Sequence, residues 1–248
     1  MTTVRLRDLT VGRHPAFVAT VLADTLDGML QGVSNAQSAG ADCVELRVDR
    51  LASAAHVADL VRRVNGPHIV ACRSPSFGGF FSGSEAERVD RLQAAAEAGA
   101  ACVDIEFLAV TTIRDRFLRA AKDMGVPVLV GYEDMEGTPP RHVLLDAVRE
   151  IAQLSPDLLK LAVRATSHRD LLTILSLVPE MLESAGAPFA AIALGPYGAA
   201  SRPLACMLGA SFTYCAVERG ATPGQLTVAE VRSVVDVLSE QRWTCSSS

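Results

Sequence analysis

Lysine is rare in this chain. Among 23 Lys and Arg residues only Lys122 and Lys160 are lysines; Lys122 lies in a polar helical stretch, whereas Lys160 interrupts the apolar run LLKLAV. An amine inside such a strand loses hydration, which lowers its pKa, and a neutral amine can attack a carbonyl carbon to form an imine. Arginine cannot take that role. The competing reading is a structural lysine paired with a carboxylate.

Other charged residues end apolar runs in the same manner. Glu45, Arg47 and Asp49 alternate in VELRVD and so share one strand face. Arg73 ends HIVACR, Asp104 and Glu106 alternate in VDIE, and Glu133 and Asp134 follow Gly131 and Tyr132. Arg202 closes the glycine-rich segment GPYGAASR, and Gln225 closes ATPGQ. Guanidinium groups bind carboxylate or phosphate through paired hydrogen bonds, so Arg47, Arg73 and Arg202 suit an anionic ligand. Internal ion pairs with Glu45, Asp49, Asp104 and Glu106 are the alternative for at least one of them.

These residues need a scaffold that gathers strand ends. Eight short apolar runs, 17–22, 43–48, 68–72, 102–107, 127–132, 158–163, 189–194 and 211–217, have strand length. Between them, stretches such as 84–98, 110–123 and 140–153 repeat apolar residues at helical spacing. Apolar strands alternating with helices predict a parallel sheet buried on both faces, and eight such units predict a closed (β/α)8 TIM barrel. An open doubly wound sheet is the alternative. VRLRDLTVG, ahead of the first unit, alternates like a short N-terminal β-hairpin at the barrel floor. With no linker composition in between, residues 1–248 read as one domain. Active sites of such barrels lie at the C-terminal ends of the strands, where the charged residues fall.

Composition narrows the partners. A formal charge of −5 lacks the basic excess of a nucleic-acid footprint and favours small-molecule chemistry. No apolar run reaches the roughly 18 residues of a membrane span, and MTTVRLRDLTVGRHP lacks the apolar core of a secretory signal, so a cytoplasmic protein is expected. The cysteines Cys43, Cys72, Cys102, Cys206, Cys215 and Cys245 are widely spaced, as reduced thiols are. His14, His56, His68, His142 and His168 precede strands or lie on helices and read as surface or structural; no metal-ligand spacing links them.

Seven segments together carry a family resemblance. They are GADCVELRVDRL (40–51), CRSPSFGGFFSG (72–83), GACVDIEF (100–107), GYEDMEGTPP (131–140), SPDLLKLAV (155–163), LGPYGAASR (194–202) and ATPGQLTV (221–228). In order and spacing they resemble type I 3-dehydroquinate dehydratases, from about Pro15 to Glu240. The resemblance implies a (β/α)8 barrel, often dimeric, whose strand lysine forms an imine with 3-dehydroquinate before water is lost to give 3-dehydroshikimate. Lys160 matches that lysine, Arg202 the arginine that holds the substrate carboxylate, and Glu45, Arg47, Arg73 and Gln225 the contacts to substrate hydroxyls. Neither metal nor organic cofactor is implied, and a homodimer is expected.

The sequence also departs from the family pattern. The family's acid/base histidine is replaced by Glu133, and the glutamate that partners it by Phe77. The serine that opens the SAPGQ loop is Ala221. Glu133 beside an aromatic ring, free of a neighbouring carboxylate, is expected to have a raised pKa useful for acid/base work. The leading expectation is a dehydratase with Lys160 and Glu133 as its catalytic pair. An imine-forming lyase on a related cyclic keto acid and a non-catalytic paralogue that binds dehydroquinate-like acids are the alternatives. Class I aldolase chemistry on a phosphosugar is the rival on residue types alone.

Overall fold

The computed structural model describes residues 2–218 and 225–244. Two short strands, β1 (Val4–Leu6) and β2 (Leu9–Val11), pair antiparallel. Strand and helix then alternate: β3 (Ala16–Leu22), α1 (Leu26–Ser38), β4 (Cys43–Arg47), α2 (Ala54–Arg63), β5 (His68–Ala71), α3 (Glu85–Glu97), β6 (Val103–Glu106) and α4 (Thr111–Asp123). They continue through β7 (Val128–Asp134), α5 (Arg141–Gln153), β8 (Leu158–Arg164), α6 (His168–Ser184), β9 (Phe189–Leu194), α7 (Ser201–Leu208), β10 (Phe212–Cys215) and α8 (Val228–Thr244).

Strands β3 to β10 form one parallel sheet in the order β10-β3-β4-β5-β6-β7-β8-β9. Its two ends come together where Ser211 N–H donates to the Phe189 carbonyl at 2.8 Å. This is a TIM barrel, as the alternation of runs predicts, and the open sheet is not formed. Each of the eight runs contains a barrel strand, with ends displaced by no more than two residues. The three helical stretches are found as α3, α4 and α5. Helix α3 starts at its predicted position because Ser84 and Glu87 form a reciprocal capping box.

The strand period of two divides the core in two. Outward residues such as Val44, Leu46, Val70, Leu159 and Leu161 pack against the helices. Inward residues near the strand starts, including Cys43, Ile69, Leu129, Leu158 and Phe212, fill the barrel interior with Leu6 and Val11 of the hairpin. The hairpin does form the expected floor. A two-stranded ladder this short is marginal alone, but burying Leu6 and Val11 contributes roughly 1.5–3 kcal/mol each.

Histidine and cysteine take the structural places expected of them. His68 is fully buried; its Nδ1 donates to the Gly66 carbonyl at 2.9 Å and its Nε2 accepts from Ala101 N–H at 3.2 Å. Cys43, Cys72, Cys102, Cys206 and Cys215 are free and buried. Cys245 and Ala221 lie outside the described residues.

Candidate active site

Toward the C-terminal ends of the strands the inward residues change from apolar to charged. The same strand phase that buries Cys43, Leu129 and Leu158 in the interior presents Glu45 on β4, Glu133 on β7 and Lys160 on β8 one or two steps higher. Asp104 and Glu106 come from β6, and Arg73 follows β5. Except for Arg47 and Gln225, the predicted site residues are buried. All seven, Glu45, Arg47, Arg73, Glu133, Lys160, Arg202 and Gln225, line one cavity of about 210 Å³. Gln225 reaches it because Ala216 exchanges backbone hydrogen bonds with Leu226 and Val228, folding the chain back onto the end of β10.

Lys160 Nζ contacts two carboxylates, Asp104 Oδ2 and Glu133 Oε1, each at 2.7 Å. Gly131 is the register partner of Lys160, and a Cβ there would stand 3.0 Å from Lys160 Cε and 3.4 Å from Glu133 Oε1. The bare backbone lets the lysine stem cross β7 to reach both partners. Burial, the largest influence, and Arg73 pull the Lys160 pKa down, but Asp104, Glu133 and Glu45 together hold it above the ordinary amine value. Desolvation alone predicts a lowered pKa; the carboxylate pairing of the competing reading is present and reverses the direction.

Arg73 is the hub of the cluster. Its Nη2 donates to Asp104 Oδ2 at 2.5 Å and lies 3.9 Å from Glu45 Oε1; its Nη1 donates to Glu106 Oε1 at 3.0 Å and to Glu133 Oε2. Burial opposes its charge, yet Asp104, Glu133, Glu106 and Glu45 keep its pKa well above the ordinary value. Here internal ion pairing, the alternative to anion binding, is what forms. Glu106 also faces Arg88 Nη1 at 2.6 Å, but burial outweighs both arginines and pushes it up to about 7. Asp104 is the reverse case: burial would raise it, but Arg73 and Lys160 hold it below the usual carboxylate range. Asp104 Oδ1 is buried without a hydrogen-bond partner among the described residues.

Glu133 does not sit in the apolar surroundings expected from Phe77. Phe77 lines the same cavity, but the two Glu133 oxygens meet cations, Lys160 on Oε1 and Arg73 on Oε2. Phe77 lies in a 3-10 turn, Pro75–Phe77, on a loop fastened by Asp49. Asp49 accepts from Arg73 N–H and Phe80 N–H, each at 3.2 Å, and holds Arg47 through Nε at 3.0 Å and Nη2 at 2.6 Å. At Gly79 a Cβ would fall 2.0 Å from the Arg73 carbonyl, so only glycine permits the loop to fold this closely.

Arg202 differs from the other two arginines. It is buried, and among the described residues no carboxylate pairs with it; burial lowers its pKa to about 10. Its Nη1 donates to the Ala193 carbonyl on β9 at 2.8 Å and its Nε to the Tyr214 carbonyl on β10 at 3.1 Å. Those strands carry no ladder between them, so Arg202 spans the seam of the barrel. A buried guanidinium without a counter-charge, on the wall of a cavity that holds a lysine, is suited to an anion.

The sequence profile of one family, type I 3-dehydroquinase, matches residues 17–242. The chain belongs to the type I 3-dehydroquinase family. Among curated relatives, the 3-dehydroquinate dehydratase of Methanosarcina barkeri is 34% identical over 230 residues, covering 89% of this chain and 95% of the relative. Among solved structures, the 3-dehydroquinate dehydratase of Aquifex aeolicus is 26% identical with a TM-score of 0.75, covering 88% of this chain and 96% of its own. The type I enzyme of Clostridium difficile has the same fold at a TM-score of 0.90 and 21% identity, covering 97% and 98%.

Within this 3-dehydroquinase barrel, the segments that carry the resemblance bring charge to the C-terminal rim. GADCVELRVDRL contains β4, CRSPSFGGFFSG is the loop over the cavity, and SPDLLKLAV contains all of β8 but its last residue, Arg164. Three participants went unassigned at the sequence level. Asp104 was visible as an alternating carboxylate, but its contact with Lys160 depends on β6 and β8 flanking β7 with both side chains inward. Thr20, which donates to Glu45 Oε2 at 2.9 Å, and Tyr214, whose ring centre lies 5.2 Å from Lys160 Nζ, have the inward phase of their strands. That phase is the signal that finds them.

Proposed function

We propose that this chain converts 3-dehydroquinate to 3-dehydroshikimate through an imine at Lys160, with Glu133 as acid and base. The observation that carries the reading is the Lys160 amine 2.7 Å from the Glu133 carboxylate, in one cavity with an Arg202 guanidinium that has no counter-ion among the described residues. Family membership supports the same reaction.

The ammonium of Lys160 first passes a proton to Glu133 Oε1, since a free amine is the nucleophile. The amine adds to the substrate ketone, a proton moves from nitrogen to oxygen, and Glu133 then protonates that hydroxyl so that it leaves as water. The iminium withdraws electrons from the neighbouring C–H bond, and the Glu133 carboxylate removes that proton to leave an enamine. The electron pair returns, the hydroxyl one carbon further leaves, and Glu133 delivers the proton that makes it water. A water molecule then adds to the iminium carbon, losing a proton to Glu133, and collapse of the adduct restores the ketone and the amine. Arg202 holds the carboxylate, and Glu45, Arg47, Arg73 and Gln225 hold the hydroxyls. Because Arg73 is bound by four carboxylates, its first task is to aim Glu133. A cytoplasmic homodimer in the shikimate route to aromatic amino acids, without metal or organic cofactor, is part of the same proposal.

Incubation with 3-dehydroquinate and borohydride, followed by intact mass and peptide mapping, tests it. A reduced adduct on Lys160, with dehydroshikimate in an unreduced sample, is the expected result. An adduct without product would redirect the reading to a related cyclic keto acid, and no adduct would overturn it.

A further inference from the structure

The mechanism above uses one of the two carboxylates that touch the reacting amine. Asp104 and Glu133 are equally close to Lys160 Nζ but differently placed. Glu133 forms part of the cavity wall, whereas the Asp104 side chain is wholly sealed from solvent. Asp104 is also anchored, because the oxygen that meets Lys160 accepts from Arg73 Nη2.

An ammonium has three N–H bonds, and a protonated imine has one. Forming the imine therefore leaves a single N–H where two carboxylates were bound, and one must let go. Arg73 grips both, through Nη2 on Asp104 and Nη1 on Glu133, so the choice turns on access to substrate. Only Glu133 has that access.

We infer that Asp104 is a further catalytic residue, the fixed counter-ion that keeps the iminium N–H while Glu133 is released to move protons on the substrate. The inference rests on the imine reading for Lys160. Asp104 would not exchange protons with substrate; its carboxylate balances the charge that persists on nitrogen once attack and loss of water are complete. The low pKa that Arg73 and Lys160 impose on it agrees with a permanently charged role. The two residues then act on different quantities. Asp104 sets how much iminium exists at equilibrium, and Glu133 sets how fast it is reached and consumed.

The test compares wild type, Asp104→Asn, Asp104→Glu and Glu133→Gln, each equilibrated with 3-dehydroshikimate before borohydride trapping at Lys160. Removing one member of a buried charge pair is expected to lower the Asp104→Asn adduct fraction at least about tenfold, with partial recovery in Asp104→Glu. Glu133→Gln should reach a fraction within about twofold of wild type, but slowly. A crystal structure of the unreduced wild-type imine with 3-dehydroshikimate decides the matter even if Asp104→Asn fails to fold: nitrogen bonded to Asp104 supports the assignment, and nitrogen bonded to Glu133 with Asp104 withdrawn overturns it. No wild-type adduct would remove the imine reading and this inference together. A normal wild-type adduct, with Asp104→Asn unchanged or Glu133→Gln equally depleted, would overturn the Asp104 assignment alone.

Discussion

Arg202 is bonded to Tyr214 through its Nε and the backbone carbonyl, at 3.1 Å, across a gap that no strand pairing fills. With a second bond to Ala193 it replaces part of a missing ladder. A residue proposed to bind the ligand thus also closes the barrel, and the first prediction separates the roles. Arg202→Gln should raise KM for 3-dehydroquinate by about 30-fold or more. It should also lower the ligand-free Tm by several degrees, as loss of about 1–3 kcal/mol does for a chain of this size. An unchanged Tm would confine Arg202 to ligand binding.

Glu133→Gln keeps the shape of the side chain and removes its charge. Dehydration should slow by about 10² to 10⁴, the usual contribution of a general acid/base, while KM changes little. Steady-state rates across pH check this, and a variant turning over near the wild-type rate would move the acid/base role elsewhere.

Gly131→Ala places a methyl group where Lys160 Cε passes at 3.0 Å. The amine must shift relative to Asp104 and Glu133, and small misplacements of a reacting group are costly, up to about 10² per ångström. Trapping at Lys160 should slow by about tenfold or more. The far-UV spectrum should be unaltered, because the displaced atom lies near the free end of a flexible side chain.

Asp49→Asn breaks a hub rather than a contact with ligand. Arg47 loses its charged partner, and the loop that carries Phe77 loses a strong acceptor of two backbone N–H groups. KM is expected to rise by about tenfold, with the rate of Lys160 trapping at saturating ligand largely kept. Kinetics at several ligand concentrations distinguish this from a general loss of activity.

His68 makes stability depend on pH. Burial, aided by Arg7, lowers its pKa below the ordinary 6.5 against the opposing Gly66 hydrogen bond, and Nε2 already accepts from Ala101 N–H. In the window between the folded value and 6.5 the unfolded chain binds more protons than the folded one, so stability rises with pH there and is lost as pH falls through it. Urea titrations between about pH 7 and 5 should show this decline, and His68→Gln should flatten the slope contributed by this residue.

The scaffold was legible because its signals are local. Each strand run is bounded by its own turn residues, and Ser84 with Glu87 fixes a helix start from within four positions. Lys160 was legible through its rarity and its apolar neighbours. What joins the site was not legible, because those contacts reach past an intervening strand and are far apart in sequence: Arg73 meets Glu133 over 60 positions, and Lys160 meets Asp104 over 56. The direction of the Lys160 pKa followed from these distant partners, so desolvation considered alone gave the wrong sign. The fastening role of Arg202 was hidden for a similar reason, since it exists only once β9 and β10 meet.

The hairpin floor gives the cavity a blind end. With Leu6 and Val11 plugging the strand starts, a ligand reaches the cavity from the C-terminal ends of the strands. In the proposed mechanism, the water released when the imine forms leaves by that same end. The water that the closing hydrolysis of that mechanism needs enters there as well.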